Sequence, residues 1–271
     1  NTGLNTPRQR AAWLLLALAA LTVLLTALGA SVGSTGFDSV LRLADDPMAA
    51  RIVWDIRLPR SLGAWLAGAL LGLSGAVAQG LFRNPLAEPF LLGSASGASL
   101  GVAAALALFG AAPATAWLAK LGLTGAAFVG AVVAVLLTLQ LARGVQHTLR
   151  LLLAGVIVGV VLGAIKDLIT LASPDIIAAM QGFNLGSAGF IGWASCVLML
   201  LAWCVCMAGA WVFSRALDGL SLGESTAASL GLPLVPMRVA LVAVLALSTG
   251  TAVAQTGLIA FVGLAAPHLV R

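Results

Sequence analysis

Apolar stretches recur along nearly the whole chain: Ala11 to Leu28, Leu62 to Phe82, Gly93 to Phe109, Leu121 to Leu141, Leu151 to Ala172, Phe190 to Phe213, Met237 to Ala254, and a short one from Leu258 to Val270. The longer ones approach the ~20 residues that carry a helix across a hydrocarbon core. No water reaches backbone N–H and C=O groups there, so each such stretch must bond internally and is predicted to be helical. The fold class that follows is an all-α polytopic membrane protein of roughly eight spans. Composition excludes a water-soluble domain: 61% of 271 residues are apolar, 8% are charged, and the mean hydropathy is +1.09.

The first stretch follows Arg8 and Arg10 and precedes the small residues Ala27 to Ser31, the general layout of a cleaved leader. Its apolar run exceeds the ~7–15 residues of a signal peptide, which predicts a retained helix. The net charge is +5, but the arginines are scattered among loops rather than gathered in a run, so they point to membrane orientation and not to nucleic acid. A cytoplasmic N-terminus places Arg8, Arg10, Arg83, Arg143, Arg150, Arg215, Arg238 and Arg271 inside, and leaves the outer basic residues balanced by Asp38, Asp45, Asp46, Asp55 and Asp175. Cys196, Cys204 and Cys206 all fall within one apolar stretch and read as packing thiols. Glycines four apart, Gly93, Gly97 and Gly101 and then Gly155, Gly159 and Gly163, would let helices approach closely.

The polar segments between spans are more informative. Arg57-Leu58-Pro59-Arg60 stands before the second span, where Pro59 suits a helix start and two arginines offer positive charge to an acidic partner or anchor the helix at the interface. Arg83-Asn84-Pro85-Leu86-Ala87-Glu88-Pro89 is a polar turn with two prolines, which ends one helix and re-aims the chain. In the long loop from Arg215 to Pro236, Ser221 and Glu224 have the spacing of a capping box ahead of a short helix through Ala227 and Leu230 that Gly231 and Pro233 stop. That helix is too short and too polar to span.

With these motifs in order, the chain resembles the permease subunits of binding-protein-dependent ABC importers for iron-siderophore, heme and cobalamin, the FecCD type. The resemblance rests on Arg57 to Arg60, on Gly75 through Gln79 to Asn84-Pro85-Leu86-Ala87-Glu88-Pro89-Phe90-Leu91-Leu92-Gly93, on Leu151 to Gly155, on Ser221 to Gly231, and on Gly263-Leu264-Ala265-Ala266-Pro267-His268. It implies a single transmembrane permease domain over 1–271 in a family with about ten spans, so that two further spans would lie beyond Arg271. It implies a second permease subunit forming a homodimer, two ATP-binding subunits that hold ATP and Mg, and a periplasmic substrate-binding protein, in the bacterial inner membrane. By the same resemblance Arg57 and Arg60 receive the binding protein, while Asn84, Leu86, Thr148 and Leu153 form the cytoplasmic gate. Ser221, Glu224, Ala227, Leu230 and Gly231 belong to the coupling helix that rests on the ATPase.

The chain departs from the family where Phe183-Asn184-Leu185, without tryptophan, precedes Gly186-Ser187, and at Leu149, where the cobalamin example has a small hydroxyl residue. Lys166 and Asp167 inside the fifth span are a further departure. Charges at that depth are costly enough to suggest a pathway role, against the alternative that they snorkel to water near the outer end. Neighbours on a helix point about 100° apart, so the two need not pair.

No Gly-Lys-Ser/Thr phosphate loop occurs, since neither Lys120 nor Lys166 follows glycine, so energy must come from another chain or an ion gradient. His147 and His268 are the only histidines and form no catalytic or metal-ligating set by spacing. The chain is thus read as a transport subunit without enzyme activity or cofactor of its own. The alternatives are an ion-coupled secondary transporter, for which Asp167 would be the one intramembrane acid, and a permease for free metal ions, which should be richer in His and carboxylates. Among cargoes, iron-siderophore and heme are placed ahead of cobalamin.

Overall fold

The computed structural model describes residues 7–32, 47–110, 117–142, 148–221, 229, 231 and 233–270. All regular structure among them is helical: α1 (Pro7–Ser31), α2 (Pro47–Arg51), a π-helical turn (Ile52–Arg57), α3 (Leu58–Phe82), a 3-10 turn (Pro89–Leu92), α4 (Ser94–Phe109), α5 (Trp117–Leu141), α6 (Thr148–Ala172), a second 3-10 turn (Pro174–Ile176), α7 (Ile177–Leu185), α8 (Trp193–Val212), α9 (Ser214–Ser221), α10 (Leu234–Thr256) and α11 (Val262–Val270). Six helical stretches are long and apolar enough to cross a membrane, and Ser94–Phe109 is a shorter apolar helix. The last apolar stretch of the sequence becomes helical only at Val262. Gly257, at φ +72°, closes α10, and Phe261, at φ +67°, holds the chain out of helical register until then.

Contacts divide the chain into two compact units, residues 1–65 with 188–196, and residues 66–187 with 197–271. In the first unit the sequence predicts that Pro59 begins a helix, whereas the helical path runs unbroken from Pro47 to Phe82. A proline inside a helix has no N–H to donate and its ring crowds the carbonyl four residues back. The wide π turn over Ile52–Arg57, in which the Leu58 N–H bonds Val53 O, opens the backbone at that place. The Pro59 carbonyl accepts the Cys196 thiol at 3.2 Å. Around this turn Trp193 donates its indole N–H to Trp54 O at 3.1 Å, the two rings lying 5.4 Å apart, and Trp65 donates to Thr22 Oγ1 at 3.2 Å.

In the second unit α4 lies on α5 and α6, and α10 packs on α5. The glycine spacing of α4 serves this packing: a Cβ on Gly97 would strike the Gly130 carbonyl of α5, and one on Gly101 would strike the Ala126 carbonyl. The α6 spacing serves only in part. Gly155 abuts the Leu91 carbonyl, while Gly163 faces open space. Where the 3-10 turn leaves the Leu92 carbonyl without a helical partner, the buried Thr138 hydroxyl donates to it at 3.0 Å. One core joins Val77, Leu81, Leu92, Leu151, Leu241 and Leu245, and another joins Val102, Leu106, Ala131, Ile176, Met180 and Val253. The nine-residue α7, absent from the sequence reading, is seated through Met180. Cys196 and Cys206 are buried as expected, whereas Cys204 is exposed.

Candidate functional site

Two of the gate positions implied by the resemblance, Asn84 and Leu86, lie on a break between α3 and α4. After Phe82 the chain turns through Arg83, which takes a left-handed φ of +49°. Asn84 then builds the turn with its own side chain: its Oδ1 accepts the Leu86 N–H at 2.9 Å and its carbonyl accepts the Ala87 N–H at 3.0 Å. Leu86 is left 67% exposed, as an apolar tip on a turn whose base is fixed. The segment that follows does not stay at a helix end. Leu91 and Gly93 pack on Gly155 and Gly159 of α6, which are about 10 and 16 Å along that helix from Thr148 at 1.5 Å per residue. The break therefore enters the bundle, and the 16-residue α4 starts within it. Leu153 of α6 is 56% exposed two residues before Gly155, and Thr148 is the first residue of the same helix. The side chain of Thr148 lies outside the described residues.

A second break, from Gly257 to Phe261 between α10 and α11, meets the first. Gln79, buried at 2% exposure, donates its amide N–H to Leu264 O at 3.1 Å, and Glu88 accepts the Phe261 N–H at 3.1 Å. Between these bonds the backbones touch. A Cβ on Gly75 would overlap the Gly263 carbonyl, and one on Gly263 would overlap Pro89. The sequence reading gave Glu88 no partner beyond its own polar turn and named Asp167 as the one intramembrane acid. The structure places Glu88 instead against the entry to α11, and no local signal could have paired it with a backbone group 173 residues away.

The two arginines expected to share a docking role are placed differently. Arg60 is exposed and donates its Nε–H to Gly189 O at 2.6 Å. Arg57 is 9% exposed, with Nη1 3.4 Å from Ser31 O, because the π turn rotates it inward. Lys166 and Asp167 do pair, at 2.6 Å, although adjacent on α6; the long lysine chain reaches back across the roughly 100° between them. Asp167 is the more open partner, at 72% against 19% for Lys166. They sit six and five residues before the end of α6.

Ser221 closes α9 (Ser214–Ser221), a helix formed where the sequence suggested loop. Glu224, Ala227 and Leu230 lie outside the described residues, and Gly231 has the left-handed φ of +76° expected of a helix-stopping glycine. A crevice of about 410 Å³ among Phe128, Leu198, Ala202, Leu247 and Thr251 has no charged wall. Among the described residues no three of His, Cys, Asp or Glu gather at one place.

The model of the FecCD transport family matches residues 3–271. A vitamin B12 import system permease protein BtuC of Shigella boydii is 39% identical over 272 residues, covering 97% of this chain and 78% of that protein. The protein of the same description from Escherichia coli strain K12 is 41% identical over 231 residues, covering 83% and 68%. A metal-chelate type ABC transporter solved in an inward-facing conformation superposes with a TM-score of 0.84 at 26% identity, over 95% of this chain and 80% of that one.

Proposed function

The chain belongs to the FecCD transport family and is an ABC importer permease, and we propose that it carries a bulky metal chelate inward across the bacterial inner membrane by alternating access. The observation that carries this reading is the family match over residues 3–271 combined with two backbone breaks held together inside the bundle. Irregular backbone at such depth is tolerated where it is packed in protein or lines a water-filled path, and paired breaks are a recurring design of transport sites. In this reading the N-terminus is cytoplasmic and two copies of the chain enclose the path. A loaded binding protein docks at the Arg60 end, and two partner ATPases, which hold ATP and Mg, drive motion through the segment from Ser221 to Gly231. The turn of Asn84 and Leu86, with Thr148 and Leu153 of α6, closes the inner side. Names of relatives near 40% identity move cobalamin ahead of iron chelates as the first cargo to test. Reconstituted with its ATPase and binding protein, the assembly is expected to take up labelled cobalamin, ferric siderophore or heme only when ATP is supplied. No uptake of any of the three by an intact assembly would overturn the cargo class.

In the same reading Lys166 and Asp167 line the path. A cation held at 2.6 Å by a carboxylate forms a neutral pair, which lowers the cost of placing both between apolar neighbours. Lys166→Met leaves Asp167 alone, and uptake is expected to fall at least about tenfold with assembly unchanged. Normal uptake by that variant would remove the pair from the pathway.

A further inference from the structure

Gln79 and Glu88 bracket the Asn84–Leu86 turn in sequence, and each reaches the same stretch of backbone, 261–264. They do so with opposite chemistry. Gln79 gives an N–H to the Leu264 carbonyl, and Glu88 takes the N–H of Phe261. Between the two bonds Gly75 and Pro89 press on Gly263 without room for a methyl group. The two non-glycine residues with positive φ among the described residues are Arg83, which begins the first break, and Phe261, which ends the second. A phenylalanine in the left-handed region is strained and persists only where its surroundings hold it. Here the holding group is the Glu88 carboxylate, bonded to the N–H of that same residue.

We propose that Gln79 and Glu88 are positioning residues that clamp the gate-bearing turn to the entry of α11, so that both breaks move as one body when the pathway opens inward. A turn tipped by Leu86 and fastened only through its own Asx bond would be free to tilt by itself. Fastened on both flanks to 261–264, it can shift only with α11, and motion delivered to either break reaches the other. The proposal rests on the permease reading for its transport consequence, but the clamp itself is a contact that can be read without cargo.

Two measurements on the full assembly test it. By hydrogen–deuterium exchange, the peptide spanning 257–266 is expected to exchange at least about tenfold faster in Glu88→Ala than in the unaltered protein, and Glu88→Gln, whose amide oxygen still accepts, to restore most of the protection. By transport, Glu88→Ala and Gln79→Leu are expected to lower cargo moved per ATP hydrolysed at least about fivefold, with Glu88→Gln close to the unaltered ratio. Unchanged exchange in Glu88→Ala would overturn the clamp. Faster exchange with an unchanged transport-to-hydrolysis ratio would overturn its role in coupling. If Glu88→Ala fails to assemble, Glu88→Gln and Gln79→Leu decide: loss of coupling in the second but not the first supports the clamp, and equal behaviour of the two overturns it. Absence of uptake even in the unaltered assembly would sink the permease cargo assignment and leave the exchange result standing.

Discussion

Gly75→Ala is expected to lower the thermal midpoint of the detergent-solubilised chain sharply and to cut its yield. The added methyl would lie on the Gly263 carbonyl, with the Gly263 Cα behind it, so no side chain can swing aside and α11 itself must withdraw. Overpacking of this kind costs about 1–3 kcal/mol. The withdrawal also strains the Gln79–Leu264 and Glu88–Phe261 hydrogen bonds, each worth about 1 kcal/mol. The sum, about 3–5 kcal/mol, is a large share of the roughly 5–15 kcal/mol that holds a typical domain together. Gly163→Ala is the control. Nothing lies within 4 Å of a Cβ there, and removal of a glycine from a helix interior is favourable by up to about 1 kcal/mol, so its midpoint should not fall. Equal midpoints for the two variants would contradict the close apposition of α3 and α11.

That pair of glycines also shows where sequence reading stops. Spacing four apart was legible at both 93–101 and 155–163, because it needs only the period of a helix. Which members touch a neighbour depends on where the other helix crosses, and Gly163 is passed by. The long apolar helices were legible for the same local reason: hydropathy over ~20 residues reports the surrounding solvent directly. Missed were the features set by tertiary contact. Pro59 looked like a helix start because proline is favourable at a first turn, and the π turn that lets the helix continue through it carries no composition of its own. The Gly257–Phe261 break was hidden inside an apolar run, since the groups that satisfy its backbone come from elsewhere: Phe183 O receives the Leu258 N–H at 3.0 Å, and Glu88 receives that of Phe261. Family resemblance supplied Asn84, Leu86 and Leu153 as one gate. Leu91 rests on Gly155 of α6, but Leu153, two residues earlier, points to another side of that helix, so the grouping of these three residues rests on the resemblance.

The arginines carry the second large effect, and here the structure separates residues that the sequence treated alike. Arg60→Glu is expected to weaken binding of the loaded binding protein at least about a hundredfold and to abolish its stimulation of ATP hydrolysis, with the midpoint of the assembly unchanged. Arg60 is exposed and spends its Nε–H on Gly189 O, while a guanidinium has five N–H donors in a fixed fork, so a carboxylate can still be received by those that remain. Reversing that charge replaces an attraction by a like-charge contact costing several kcal/mol, and every ~1.4 kcal/mol is tenfold in affinity. The effect on association should shrink with added salt, as exposed charges are screened beyond about 10 Å at 0.1 M. Arg57 predicts the opposite division. At 9% exposure it cannot meet a partner directly, and its contact with Ser31 O ties α1 to the π turn. Arg57→Ala should therefore lower the thermal midpoint while leaving the affinity of the binding protein within about threefold, since truncating a buried charged group acts on stability first. Paired titration and melting curves on the two variants measure both quantities. A docking defect in Arg57→Ala equal to that of Arg60→Glu would mean that the π turn opens to present Arg57, and that docking and rearrangement of this helix are one event.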